Sequence, residues 1–162
     1  MVVGLSPAQR AAMQIEEGIR RNRTETVVFV SPDGAEVGRF RGDRDRVPID
    51  EVFLRQCSGL TMTHNHPGNT SFSVADVSLA VEFGLEEVRV VTRRHRHSIT
   101  GHQRVDCREL LPAFEAAHQQ VVPHVRELLM LRRIGLNDSE TEAAHRAWGI
   151  VASKLSFNYW RD

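Results

Sequence analysis

Residues 59–76 read GLTMTHNHPGNTSFSVAD and decide how the centre of this chain folds. The first five of them, residues 59–63, are mostly apolar and partly β-branched, which predicts a buried strand. Pro67 biases the residue before it towards an extended conformation, and the turn formers at 68–71 predict a loop. Apolar residues then recur at helical spacing over residues 73–83, so we expect a helix with the serine at its start as the N-cap.

Two histidines stand at the end of the predicted strand, one residue apart. Because strand side chains alternate between faces, His64 and His66 point to the same side, with Cα atoms roughly 6.5–7 Å apart. Both rings can then bind one ion at about 2.0–2.1 Å, and Asp76 can supply an oxygen ligand. Two imidazoles and one carboxylate leave a fourth position for water, as in catalytic zinc sites. The pattern therefore predicts one Zn²⁺ ion per chain.

Ser73 and Asp76 have two interpretations that do not exclude one another. As a pair they can cap the helix, with aspartate in place of the usual glutamate or glutamine of a capping box. A serine oxygen that accepts a backbone N–H can also donate its own proton, here to an oxyanion.

A second pair of histidines occurs at His95 and His97, and arginines surround it at positions 93, 94 and 96. Cationic neighbours oppose the binding of a dication, so we interpret this pair as part of a solvated basic loop. The arginines are the only local argument for nucleic acid, which is not an expected partner.

The residues His64, His66, Pro67, Ser73 and Asp76, at these spacings, resemble the JAMM motif (also called JAB or MPN+) of zinc metalloproteases. The variant with glycine after His-Asn-His-Pro is most similar to prokaryotic members, including RadC-like proteins and phage-type JAB domains.

The resemblance covers roughly residues 24–101 and implies a fold, a base and a chemistry. The fold would be α/β, with a JAB/MPN-like (cytidine-deaminase-like) mixed sheet flanked by helices. The family also uses an upstream glutamate that holds the water and acts as general base, and the best match is Glu25. Three other glutamates compete for this assignment: Glu16, Glu17 and Glu36.

The order of predicted strands and helices suggests an α/β sandwich with the site at the end of a central strand. We expect a core over residues 1–107 and a helical C-terminal extension over residues 108–162. Pro123 is expected to break or kink the helical pattern of this extension. The aromatic end at 156–160 is expected to pack on the body, with a docking surface as the alternative.

These observations predict a zinc-dependent metallopeptidase or isopeptidase that hydrolyses an amide bond by a metal-activated water. Its substrate would be a protein or peptide, including a ubiquitin-like conjugate, which would make it deubiquitinase-like. The ligands would be His64, His66 and Asp76, and the catalytic groups Glu25 and Ser73. The alternative is a non-proteolytic JAB-fold binding module, or a RadC-like protein in DNA transactions.

Composition favours a cytoplasmic protein without a membrane partner. Lysine plus arginine and aspartate plus glutamate both number 21, for a net charge of +0, so no global field draws the chain to nucleic acid or membrane. No apolar run reaches the roughly 18 residues of a membrane span. Cys57 and Cys107 are interpreted as free thiols in a reducing compartment. The oligomeric state is not predicted.

Overall fold

The computed structural model describes residues 4–43 and 46–162. Its strands form one sheet in the order β2-β1-β3-β4-β5-β6, in which β3 and β4 are parallel and every other neighbouring pair is antiparallel. The elements along the chain are α1 (Pro7–Ile19), β1 (Thr26–Val30), β2 (Glu36–Arg41), α2 (Glu51–Leu54), β3 (Thr61–Asn65), α3 (Val74–Glu82), β4 (Glu87–Val91), β5 (Arg96–Thr100), α4 (Cys107–Met130), α5 (Leu136–Leu155) and β6 (Asn158–Arg161).

Helices cover both faces of the sheet. Val28 and Val30 pack with Ala8 of α1 on one face. Val27 and Phe29, which alternate with them along β1, join the larger core formed with α3, α4 and α5. The predicted class, α/β with a mixed sheet flanked by helices, is therefore confirmed.

A buried ion-pair network ties α1 to the sheet. Glu16 is fully buried, and its carboxylate accepts hydrogen bonds from Arg89 (2.6 Å), Arg96 (2.9 Å) and Thr63 (3.0 Å). A buried carboxylate needs such partners to offset its lost hydration. Thr63 and His64 point to opposite faces of β3, so Glu16 lies on the wrong side of the sheet to act as the base.

We expected a break or a kink at Pro123, and the break is wrong, because α4 runs on to Met130, while the kink stays a prediction. The proline removes one backbone donor, which costs the helix a hydrogen bond. Val121 and Val125 are nevertheless buried in the core on either side of it. Tertiary packing therefore outweighs the local preference at this position.

The C-terminal segment adds a strand that the sequence analysis did not predict. β6 pairs antiparallel with β5 and forms one edge of the sheet. Phe157 is buried and Tyr159 partly buried, as the packing expectation requires, whereas Trp160 is 49% exposed. In the part of the chain that the structure describes, no helix is long and apolar enough to cross a membrane.

Candidate metal centre

β3 carries the two histidines to the middle of the sheet. His64 pairs with Val27 of β1 on one side and with Val90 of β4 on the other. His66 lies just beyond the strand, where its backbone N–H still donates to the carbonyl of Val91 at 3.0 Å. The His64 side chain is 1% exposed and that of His66 is 12% exposed. Both rings are therefore largely buried, at the end of β3 and just beyond it.

Three side chains place their ligand atoms at the spacings that one ion requires. The Nε2 atoms of His64 and His66 are 3.0 Å apart. Asp76 Oδ1 lies 3.4 Å from His64 Nε2, and Asp76 Oδ2 lies 3.5 Å from His66 Nε2. Tetrahedral ligands at about 2.0–2.1 Å from one ion are roughly 3.3–3.4 Å apart. The donors therefore fit a single metal ion.

Glu25 completes this group at a greater distance. Its Oε1 atom lies 4.0 Å from His64 Nε2, and the side chain is 12% exposed. The ligand atoms of Glu25, His64, His66 and Asp76 all lie within 4.8 Å of one another, so this buried group could hold a metal ion. The longer distance suits a carboxylate that holds a water molecule, while direct binding would make Glu25 a fourth ligand.

The other two competing glutamates lie outside the cleft that contains this group. Glu36 on β2 forms an ion pair with Arg39 at 2.8 Å, and Glu17 on α1 pairs with Arg20 at 3.2 Å.

Asn65, between the two histidines, places Glu25 beside them. This residue is fully buried and points to the opposite face of β3. Its Oδ1 atom accepts the backbone N–H of Thr26 at 2.7 Å, and its amide donates to the carbonyl of Thr24 at 3.1 Å. Glu25 lies between these two anchored residues. This role was not predicted from the sequence, because the partners of Asn65 lie 39 and 41 positions away from it.

The helix cap predicted for Ser73 and Asp76 is present. Ser73 Oγ accepts the backbone N–H of Asp76 at 3.1 Å, and the backbone N–H of Ser73 donates to Asp76 Oδ2 at 2.7 Å. The serine hydroxyl also donates to Asp76 Oδ2, at 2.8 Å. To donate to an oxyanion instead, the hydroxyl would have to rotate towards the cleft.

The loop after β3 sets the orientation of the second imidazole. His66 Nδ1 lies 3.1 Å from the carbonyl oxygens of both Thr70 and Ser71. Carbonyl oxygens only accept, so Nδ1 carries the proton and Nε2 keeps its lone pair for a metal.

The electrostatics of the group favour a cation. Burial opposes ionisation of Asp76, but the charges of His64 and His66 and the hydrogen bonds to it hold its pKa well below the usual range. Burial and the charge of His64 lower the pKa of His66. Burial also disfavours charge on His64, yet Asp76 outweighs this effect and raises the pKa of His64. The pKa shifts of Asp76 and His66 therefore favour the deprotonated forms that bind a metal, whereas the shift of His64 favours its protonated form.

Helix α5 holds the loop that surrounds the site. Trp148 is fully buried, and its Nε1–H donates to the carbonyl of Phe72 at 2.9 Å. Thr141 Oγ1 donates to the carbonyl of Asn69 at 3.0 Å. Sequence analysis assigned neither residue to the site, because the contacts span more than seventy positions and no local pattern signals them.

The prediction that His97 belongs to a solvated basic loop is wrong. Its side chain is fully buried on β5, and its Nδ1 atom lies 2.9 Å from the Tyr159 hydroxyl. Arg96 is paired with Glu16, and Arg94 with Asp138 at 2.9 Å. The acidic and aromatic partners come from α1, α5 and β6, which are distant in sequence.

Burial of His97 predicts a loss of stability in acid. Burial, with the charges of Arg161, His145 and His95, lowers the pKa of His97 to about 3. At pH values between the pKa of His97 in the unfolded chain, about 6.5, and its pKa in the folded chain, only the unfolded chain binds the proton. The free energy of unfolding therefore decreases as the pH is lowered through this range. The expected slope is at most about 1.4 kcal/mol per pH unit. His97→Asn should remove this part of the slope when urea unfolding is measured from pH 7 to pH 4 with a chelator present.

The control for this measurement is His124→Asn. His124 is 54% exposed on α4, and its replacement should leave the slope unchanged. The prediction would be contradicted if the free energy of unfolding changed equally with pH in His97→Asn and in the unmodified protein.

The group of Glu25, His64, His66 and Asp76 opens into a cleft of about 450 Å³. The aliphatic side chains of Val27 and Met62 lie beside His64 in this cleft, and both are almost fully buried. The residues that line the cleft are Glu25, Val27, Arg46, Val47, Ile49, Met62, His64, His66, Pro67, Gly68, Thr70, Ser73, Ala75, Asp76 and Leu79.

Comparison with known proteins identifies no relative of this chain. No protein-family model, no curated protein and no solved structure matches it.

Proposed function

We propose that this protein is a zinc-dependent metallopeptidase or isopeptidase of the JAMM type. The observation that carries the proposal is the close spacing of the His64, His66 and Asp76 ligand atoms, with Glu25 slightly farther away in the same open cleft. Three close protein donors with a carboxylate beside them match the needs of a catalytic centre, in which one position stays open for water.

The donor set supports zinc among the common metals. Two imidazole nitrogens and one carboxylate oxygen are frequent zinc ligands, whereas calcium and magnesium prefer oxygen alone. Further support comes from His66, whose Nδ1 is hydrogen-bonded to backbone carbonyls, an arrangement common in metal-binding histidines.

Different residues of the cleft would have different roles in amide hydrolysis. A bound Zn²⁺ ion would lower the pKa of its water to about 7 and polarise the scissile carbonyl. Glu25 would accept a proton from the attacking water and pass it to the departing amine. Ser73 would keep its hydroxyl proton and donate a hydrogen bond to the carbonyl oxygen as that oxygen gains charge. The C–N bond breaks, and the carbonyl carbon keeps the oxygen of the water.

Metal removal tests the proposal directly. We expect one zinc ion per chain, and cleavage of at least one member of a panel of peptides and ubiquitin-like isopeptide conjugates. A chelator should abolish cleavage, because the reaction needs the metal's charge, and added zinc should restore it. Metal content is measured by elemental analysis and cleavage by mass spectrometry.

Magnesium added after chelation is the control, and it should not restore activity. One zinc per chain without any cleavage would favour the non-proteolytic binding module. A chain that binds no zinc would contradict the proposed centre itself.

A further inference from the structure

Some of the residues that line the cleft have no role in the proposed chemistry. Three partly buried aliphatic side chains line it, those of Val47, Ile49 and Leu79. Arg46 lines the same cleft and is exposed. Among the described residues that line the cleft, it is the only arginine or lysine.

The guanidinium of Arg46 has no acidic partner among the described residues. It makes no hydrogen bond or ion pair with any of them, whereas Arg39, Arg55 and Arg94 each pair with a carboxylate. A guanidinium presents its N–H donors in a planar fork that fits a carboxylate with two parallel hydrogen bonds. Arg46 is therefore available to bind an anionic group that enters the cleft.

The backbone of Arg46 is held close to Glu25. Its N–H donates to Asp43 Oδ1 at 3.2 Å, and its carbonyl accepts the N–H of Asp43 at 3.1 Å. Asp43 and Gly42 in turn exchange backbone hydrogen bonds with Glu25, at 2.9 Å and 3.0 Å. A Cβ on Gly42 would lie 1.8 Å from the Arg46 carbonyl oxygen, so the approach of the two segments requires glycine.

The charges of the cleft also favour an anionic substrate. Among the described residues that line the cleft, Arg46 carries the only arginine or lysine charge, and a bound dication would offset the carboxylate of Asp76. Arg46 shares this cleft with the aliphatic wall of Val47, Ile49 and Leu79, and hydrogen bonds to a carboxylate in a cleft compete less with water than on an open surface.

We infer that the cleft selects substrates that carry a carboxylate close to the scissile amide, with Arg46 as the residue that binds it. This inference rests on the proposed function and names the substrate class of the same site. The carboxylate is either an acidic side chain or the free C-terminus of a peptide, and the aliphatic wall holds an apolar neighbour of that group.

A set of matched peptides tests the inference. Short alanine and leucine peptides, blocked at both ends, carry one glutamate at successive positions, and each is compared with its glutamine counterpart. A second pair differs only in a free or amidated C-terminus. We expect a preference of about 10- to 100-fold for the acid at one position, or for the free C-terminus, as charge-assisted hydrogen bonds provide. The pair of peptides that shows this preference identifies the source of the carboxylate.

Variants assign the preference to one residue. Arg46→Gln should reduce the acid-to-amide ratio to about one. Arg41→Gln, an exposed arginine on β2 that does not line the cleft, should keep the preference. Equal use of acid and amide by the unmodified protein, or a preference that survives Arg46→Gln, would overturn the inference.

Binding measurements separate this inference from the proposed function. Fluorescence anisotropy of the same peptides, labelled with fluorescein, is measured on the zinc-loaded protein carrying Glu25→Gln, with and without Arg46→Gln. An Arg46-dependent preference in binding without any cleavage by the unmodified protein would support the carboxylate site and reject the hydrolase. Cleavage without a preference would support the hydrolase and reject the carboxylate site, and absence of both would reject both.

Discussion

Glu25→Gln is expected to lower kcat by about 10²- to 10⁴-fold, the usual contribution of a general base, while the protein keeps one zinc ion per chain. The amide is close in size to the carboxylate, so the backbone hydrogen bonds of residue 25 with Gly42 and Asp43 should persist. An amide cannot accept the proton of the attacking water. The measurement combines steady-state kinetics on the best peptide with elemental analysis of zinc.

Glu36→Gln is the matched control for this substitution. Glu36 was a competing assignment from the sequence, and it is held in an ion pair with Arg39 outside the cleft. Its replacement should leave kcat unchanged. A Glu25→Gln protein that loses zinc together with activity would show instead that Glu25 is a fourth ligand, and full activity would mean that another group is the base.

Replacement of a ligand should release the metal. Asp76→Asn and His64→Gln each remove one of three close donors, so we expect zinc affinity to fall at least about 100-fold, beyond what lost outer-shell hydrogen bonds cost. Asparagine can still accept the N–H of Ser73, so the helix cap should survive in Asp76→Asn. Zinc affinity is measured by competition with a chromogenic chelator, and folding by circular dichroism.

His102→Asn provides the comparison for these ligand variants. His102 is as fully buried as His64 but does not line the cleft. Its replacement should leave zinc affinity unchanged even if it lowers stability. Unaltered zinc stoichiometry and affinity in Asp76→Asn would contradict the ligand assignment.

Local sequence patterns predicted the strand and the helix that carry the residues of the site. Strand alternation placed His64 and His66 on one face, and the spacing of Ser73 and Asp76 specified the capped start of α3. These features depend on residues within about ten positions of one another. For that reason the three close donors could be named without a structure.

Predictions were wrong where the environment of a residue depends on contacts with segments distant in sequence. The arginines and histidines at 93–97 look like a solvated loop when only their neighbours are considered. In the folded chain His97 contacts Tyr159 from β6, and Arg96 contacts Glu16 from α1. Similarly, Pro123 is tolerated because α4 is held by the core on both sides of it. Burial and pairing of charges depend on tertiary contacts, which neighbouring residues do not reveal.

The sequence by itself therefore determined the types and the spacing of the candidate ligands and the mixed α/β class. Only the tertiary structure decided which glutamate joins them, because Glu25 reaches the histidines through the pairing of β1 with β3 and the hydrogen bonds of Asn65. It also decided that Arg46 lies in the same cleft and that Trp148 supports the surrounding loop. Short-range geometry follows from covalent structure and side-chain alternation, whereas these juxtapositions exist only once hydrophobic burial has brought distant segments together.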